Sequence, residues 1–172
     1  MGLFMGLSSP GSALLCCLAC SLALAQSGSP APAERYAEQG RAALSAGDYT
    51  HAEMDYEKLR QLEPEVAEVH ATLGVIYFQE RKFELAVAEL RQAMKLKPGL
   101  PKADGLLAMS LSELGRYREA LPGLEKTFHQ TTEPPVKRMC GLQLERAYTG
   151  LHDDHKAVEV ALELDNLFPG DP

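Results

Sequence analysis

The sequence predicts an all-α fold, a solenoid of about four antiparallel helix pairs with its C-terminal cap missing. Three observations carry that prediction. First, residues of one type return at a step of 34: Gly40, Gly74 and then Ala108; Ala52, Ala86 and Ala120; Tyr49, Phe83 and Tyr117. Second, apolar positions within each repeat keep the 3.6-residue period of a helix on both sides of a polar break. Third, punctuation falls at matching offsets, with Gly47 and Gly115 at the breaks and Leu62-Glu63-Pro64 and Leu96-Lys97-Pro98 at the ends. A period of this length marks stacked units, each too small to bury its apolar face alone.

Taken in chain order, residues 1–25 read as a secretory signal peptide. The first 33 residues carry no Asp, Glu, Lys or Arg. Within them "SALLCCLACSLALA", residues 12–25, is 14 residues long, short of the roughly 20 that cross a bilayer. It ends in Ala23-Leu24-Ala25, the small-x-small pattern of a cleavage site. Lipid attachment at Cys20 is disfavoured, because Cys17 stands where an apolar residue is expected. Myristoylation is excluded by Gly6, where Ser or Thr is needed. Cleavage would leave an exported chain, periplasmic or extracellular, with no membrane span. Cys140 would be its one cysteine, so no internal disulfide is expected. Residues 26–32 are small, polar and Pro-rich, a flexible spacer.

The repeat domain is expected over 33–172. Its first unit, about 33–66, carries Tyr36, Gly40, Ala52, Tyr56 and Pro64. The second, 67–100, places Leu73, Gly74, Ile76 and Tyr77 before the break and Phe83, Leu85, Ala86, Leu90, Ala93 and Met94 after it. The third, 101–134, opens on Pro101, which suits a helix's first turn. It keeps Leu107, Ala108, Ala120 and Leu124, with Thr132 where the others have proline. The fourth, 138–171, arrives three residues late: Ala157 and Pro169 keep the spacing of Ala86 and Pro98. It has Leu144 and Tyr148, and Glu145 at the small position. Gly40, Gly74 and Ala108 should let paired backbones approach, with Leu73, Leu107 and Leu144 filling the space between. Glu145 should loosen the fourth pair. Pro172 falls at the first position of a fifth unit, so Val158, Leu162 and Leu167 should face nothing. The chain is therefore expected to be the N-terminal part of a longer array, or to self-associate through that open face.

On these residues the chain resembles the tetratricopeptide repeat (TPR) family, whose pattern is an aromatic, Leu-Gly, Tyr, Ala, a large apolar residue and Pro at fixed offsets. The resemblance covers residues 33–171. It implies a TPR superhelix whose first helices line a concave side. The inward positions give a candidate peptide-binding groove: Arg41, Ala71, Val75, Phe78, Lys102, Leu106, Met109, Leu142 and Arg146. Its middle is apolar and its ends are charged, which suits an amphipathic helix or an apolar extended segment. Val75, Leu106 and Met109 serve equally as packing between neighbouring first helices, and both readings stay open. Relatives that grip the C-terminal carboxylate of heat-shock chaperones use Lys, Asn and Arg at set inward positions. Lys102 fits one of them, but Leu106 stands where Arg belongs and no Asn faces inward, so a carboxylate clamp is rejected.

Other classes find little support. Aromatics are 6%, Trp is absent and net charge is −7, so nucleic acid is not an expected partner. No Gly-x-Ser-x-Gly, phosphate-binding loop or His-Glu-x-x-His occurs, so neither catalysis nor a cofactor is expected. "HDDH", residues 152–155, reads as a turn with Asp153 or Asp154 capping the next helix, in preference to a metal site. Cys140 and His70 are expected as core packing. The remaining Tyr and Glu read as scattered solvent-face residues. The expected function is a non-enzymatic protein–protein interaction scaffold. The alternative is an N-terminal interaction module of a longer protein whose remainder carries enzymatic or sensor activity.

Overall fold

The computed structural model describes residues 31–100 and 102–169. The signal peptide, nearly all of the spacer, Pro101 and Pro172 lie outside the described residues. Among those described, the secondary structure is eight helices: α1 (Pro32–Ser45), α2 (Tyr49–Leu62), α3 (Ala67–Gln79), α4 (Phe83–Leu96), α5 (Ala103–Glu113), α6 (Tyr117–Gln130), α7 (Pro134–Gly150) and α8 (Asp154–Leu167). The array is an all-α TPR superhelix of four helix pairs.

One turn closes the first helix of all four pairs. Gly47, Arg81, Gly115 and His152 have φ of 73°, 60°, 71° and 62°. The next residue's N–H then donates to the carbonyl five back: Asp48 to Ala43, Lys82 to Tyr77, Arg116 to Leu111 and Asp153 to Tyr148, at 2.8–2.9 Å. This is the left-handed exit that glycine favours. Arg81 and His152 adopt it without that freedom. The next helix starts at once. Asp48 caps α2 by accepting the His51 N–H, and Asp153 caps α8 by accepting that of Lys156, so "HDDH" serves as a turn and a cap. The second helices α2 and α4 stop two residues before Pro64 and Pro98.

Each helix packs on the next. In addition the backbones of α3 and α5 and of α5 and α7 come close, whereas no two of α2, α4, α6 and α8 do, although the Arg91–Glu119 ion pair bridges α4 and α6. An inner row in contact and an outer row splayed apart give curvature, with the first helices inside. The core runs as two clusters, one around Leu73, Ile76 and Leu90 and one around Leu124, Phe128 and Leu144. Phe78, Leu106 and Leu107 pack against both.

The small residues set helix spacing. A Cβ on Gly74 would lie 2.6 Å from Leu90 Cγ, inside any real contact. In the fourth pair that role moves one turn earlier. Glu145 is half-buried, and it is Gly141 that meets Leu164, at 2.5 Å from a would-be Cβ. Helix α7 also starts four residues before position 138 and runs for 17 residues, against 11 for α5. Pro134 and Pro135 open it, where a missing N–H costs nothing.

The Tyr and Glu residues are not merely solvated. The Tyr77 hydroxyl donates to Glu57 and the Tyr148 hydroxyl to Glu125, each a carboxylate of the preceding second helix. Lys82–Glu53, Arg91–Glu119 and Lys97–Glu68 pair across helices at 2.6–2.7 Å. Spacing along one helix could not reveal these, because the partners sit about 20 to 30 residues apart. His70 is buried, with Nδ1 2.5 Å from Glu89 Oε2 and Nε2 2.8 Å from the Pro64 carbonyl. The ring thus ties α3 to α4 and to the preceding loop. Cys140 is fully buried, and burial pushes its thiol up to about 11, which makes it unreactive.

Candidate functional site

The concave face holds a pocket of about 540 Å³. Ala71 and Val75 of α3 form one wall, Val136 and Met139 of α7 the other, and Ala103, Leu106 and Met109 of α5 the floor, with Leu100 from the preceding loop. The pocket opens where the two inner helices differ most in length. Helix α5 begins late, after Lys102 in a left-handed conformation, while α7 begins early. About half a turn lost from the start of α5 beside a turn added to α7 leaves a notch.

Charge stays at the rim. Lys102 Nζ lies 2.9 Å from Glu133 Oε1, and Lys126 pairs with Asp104. The walls offer apolar surface to solvent: Val75 and Met139 are each 40% exposed. Met109 differs, since only 6% of it is exposed and it belongs to the core cluster as well as to the floor.

Of the nine residues expected in the groove, five therefore converge: Ala71, Val75, Lys102, Leu106 and Met109. Phe78 does not join them. It packs edge-on against Phe83, ring centroids 5.7 Å apart, beside both core clusters. Leu142 and Arg146 line a separate recess with Tyr117, Glu145 and Thr149; Arg146 also approaches Glu113 at 3.5 Å. Arg41 is exposed on α1, away from both. Leu100 and Val136 lie outside the nine. Val136 enters only because α7 starts early, and "EPPV" was the available signal.

Among the described residues no three His, Cys, Asp or Glu side chains converge on a metal-sized site. Nor is any described helix long and apolar enough to cross a membrane.

A sequence profile described as "Tetratricopeptide repeat" matches residues 37–101. The chain is 31% identical over 96 residues to the small glutamine-rich tetratricopeptide repeat-containing protein 2 of Mycosarcoma maydis, a match covering 56% of this chain. The chain spans 27% of the length of that relative. Among solved structures it resembles MamA of Desulfovibrio magneticus RS-1, with a TM-score of 0.70 at 21% identity over 81% of this chain and 77% of that one. PilF of Pseudomonas aeruginosa gives 0.61 at 23% over 82% and 63%. The O-GlcNAc transferase of Thermobaculum terrenum gives 0.63 at 20% over 78% and 26%. At such identities the structural likeness speaks for the fold. Repeat length, pairing geometry and profile agree, and the chain carries tetratricopeptide repeats, matched by the profile over residues 37–101.

Proposed function

We propose that the chain is an exported, non-enzymatic scaffold that holds an apolar or amphipathic peptide segment against α3, α5 and α7. The pocket carries this reading. Two exposed apolar walls face each other across an apolar floor, and burying such surface is favourable by ~25 cal/mol per Å². The charged pairs at the mouth keep it solvated and leave polar groups for a segment's backbone. The fold supports protein partners in general. The uncharged leader with its Ala23-Leu24-Ala25 supports export, which N-terminal sequencing of the secreted chain would check.

The test is capture from an envelope extract by the full chain beside a Val75→Glu, Met139→Glu double variant. Met109 is left alone because it is core, and a charge there would unfold the chain. Circular dichroism should be unchanged. A partner kept by the native chain and lost by the variant is the expected result; equal capture by both would end the groove reading. A second reading is favoured by the 27% coverage of the curated relative: an interaction module of a longer protein whose remainder carries enzymatic or sensor activity.

A further inference from the structure

We propose that His70 and Glu89 hold one proton between them, and that this proton is a pH-sensitive latch on α3. While it is bound, α3 is fastened both to α4 and to the loop before it; when it leaves, one fastening opens. The pair is largely withdrawn from water, with 6% of the His70 side chain and 16% of the Glu89 side chain exposed. Both ring nitrogens meet oxygen: Nε2 lies 2.8 Å from the Pro64 carbonyl and Nδ1 2.5 Å from Glu89 Oε2.

Those two contacts fix the proton count. A carbonyl oxygen can only accept, so Nε2 carries a hydrogen. A neutral imidazole has no second one, and Nδ1 would then turn a lone pair on an ionised carboxylate at hydrogen-bond distance. Two acceptors that close, with little water between them, repel. The contact holds with a hydrogen between them. Imidazole is the stronger base of the two, so that hydrogen sits on Nδ1 and the ring is an imidazolium. Local charge agrees. Helix α2 brings Glu57 and Arg60, which pair with each other, and α3 itself brings the Tyr77 hydroxyl, which donates to Glu57. Glu57 stands within electrostatic reach of His70, and Arg60 within reach of Glu89. In the loop Glu63 and Glu65 flank Pro64 and add no positive charge. With Arg60 taken by Glu57, the balancing charge for Glu89 is that of His70, and a carboxylate sunk this far without a partner is costly.

Loss of the proton leaves two arrangements, each with one contact broken. The ring keeps its hydrogen on Nε2 and turns a lone pair on Glu89, which parts α3 from α4. Or the hydrogen moves to Nδ1, and Nε2 turns a lone pair on the Pro64 carbonyl, which parts α3 from the loop. Ala71 follows His70 directly and Val75 stands one turn further on; together they form one wall of the concave pocket. The latch therefore regulates that wall, a consequence that rests on the pocket reading proposed above. The sign follows from proton counting. An ordinary histidine titrates at about 6.5 and an ordinary glutamate at about 4.3, so at about pH 8 the unfolded chain has given up the proton that the folded pair retains. Where the folded state binds more protons, stability falls as pH rises, by at most about tenfold in the folding constant per pH unit for one proton.

The test is ring-nitrogen NMR of the full chain, with urea unfolding across the same pH range. At about pH 7.5, where an ordinary histidine is about nine-tenths neutral, both nitrogens of His70 should carry hydrogen. Glu89→Gln supplies an amide N–H to a neutral Nδ1, so in that variant the ring should hold one hydrogen, on Nε2. Between about pH 6.5 and 9 the native chain should lose stability more steeply than Glu89→Gln, by up to about tenfold per unit. A singly protonated His70 ring in the native chain would overturn the proposal, and this measurement needs no variant to fold. Parallel stability profiles would overturn it too. The Val75 methyl signals should move in step with the loss of the ring proton. Signals that stay still would overturn the hold of the latch on the pocket wall. No ligand is present in these measurements, so their failure is distinct from failure of the groove reading, which the capture experiment decides.

Discussion

Glu57 couples two helices through one carboxylate. It accepts from the Tyr77 hydroxyl on α3 and, at 2.6 Å, from Arg60 one turn along α2. Burial alone would raise its pKa, but Tyr77 and Arg60 outweigh it and hold the carboxyl below its ordinary 4.5. Burial foremost, then the Glu57 carboxylate, pushes the Tyr77 phenol well above its usual range. The linkage sign follows. A carboxyl depressed in the folded state stabilises the fold above its unfolded pKa, and that stability is lost as pH falls through the folded value. Glu57→Gln should therefore cost roughly 1 kcal/mol at pH 7, the net worth of hydrogen bonds to a charge discounted for partial exposure. It should also flatten the loss of stability between pH 5 and 3. Urea unfolding of both proteins across that range measures it, and parallel pH profiles would show that the contact contributes nothing. This residue also marks a limit of sequence reading. Helix faces follow from local spacing, so Leu73, Gly74 and Leu90 were legible as core and close approach. A pair 20 residues apart on different helices leaves no such periodic trace.

At the scale of elements, the break between paired helices is a single device made with different residues. Gly47 and Gly115 adopt positive φ at no steric cost, while Arg81 and His152 are held there by the same flanking hydrogen bonds. A non-glycine residue in that region costs about 1–2 kcal/mol, partly offset because glycine loses more freedom on folding. His152→Gly should accordingly stabilise the chain by about 0.5–1 kcal/mol, read as a raised denaturation midpoint. Unchanged or lower stability would mean that the imidazole contributes contacts that outweigh the backbone strain. The glycine turns were legible because glycine announces them; nothing local marks Arg81 or His152 for the same conformation. Unequal helix length was harder to see. Pro134-Pro135 can open a helix or sit in a loop, and nothing local decides between them. The early start of α7 and the late start of α5 together create the notch, so Val136 could not be assigned while its helix was taken to begin at 138. Met109 shows the complementary difficulty. A residue between two inner helices can line a groove and fill a core at once, and it does both here.

For the whole molecule, burial is concentrated in the middle of the inner row. Helices α3 and α5 each bury seven residues, whereas α1 buries Gly40 alone and α8 three. In a linear array each pair is stabilised by itself and its neighbours, so a terminal pair lacks one interface. Opening should therefore proceed from both ends. Native-state hydrogen exchange is expected to show amides of α3 and α5 exchanging only through global unfolding. Those of α1 should exchange through openings of much lower free energy, with α8 between. Equal protection along the array would mean that the four pairs open as one unit, and the end faces would then be as rigid as the centre. The expected gradient has a functional consequence. The concave pocket lies on α3, α5 and the adjoining part of α7, where the array is best buried, so its walls are preorganised and little ordering opposes binding.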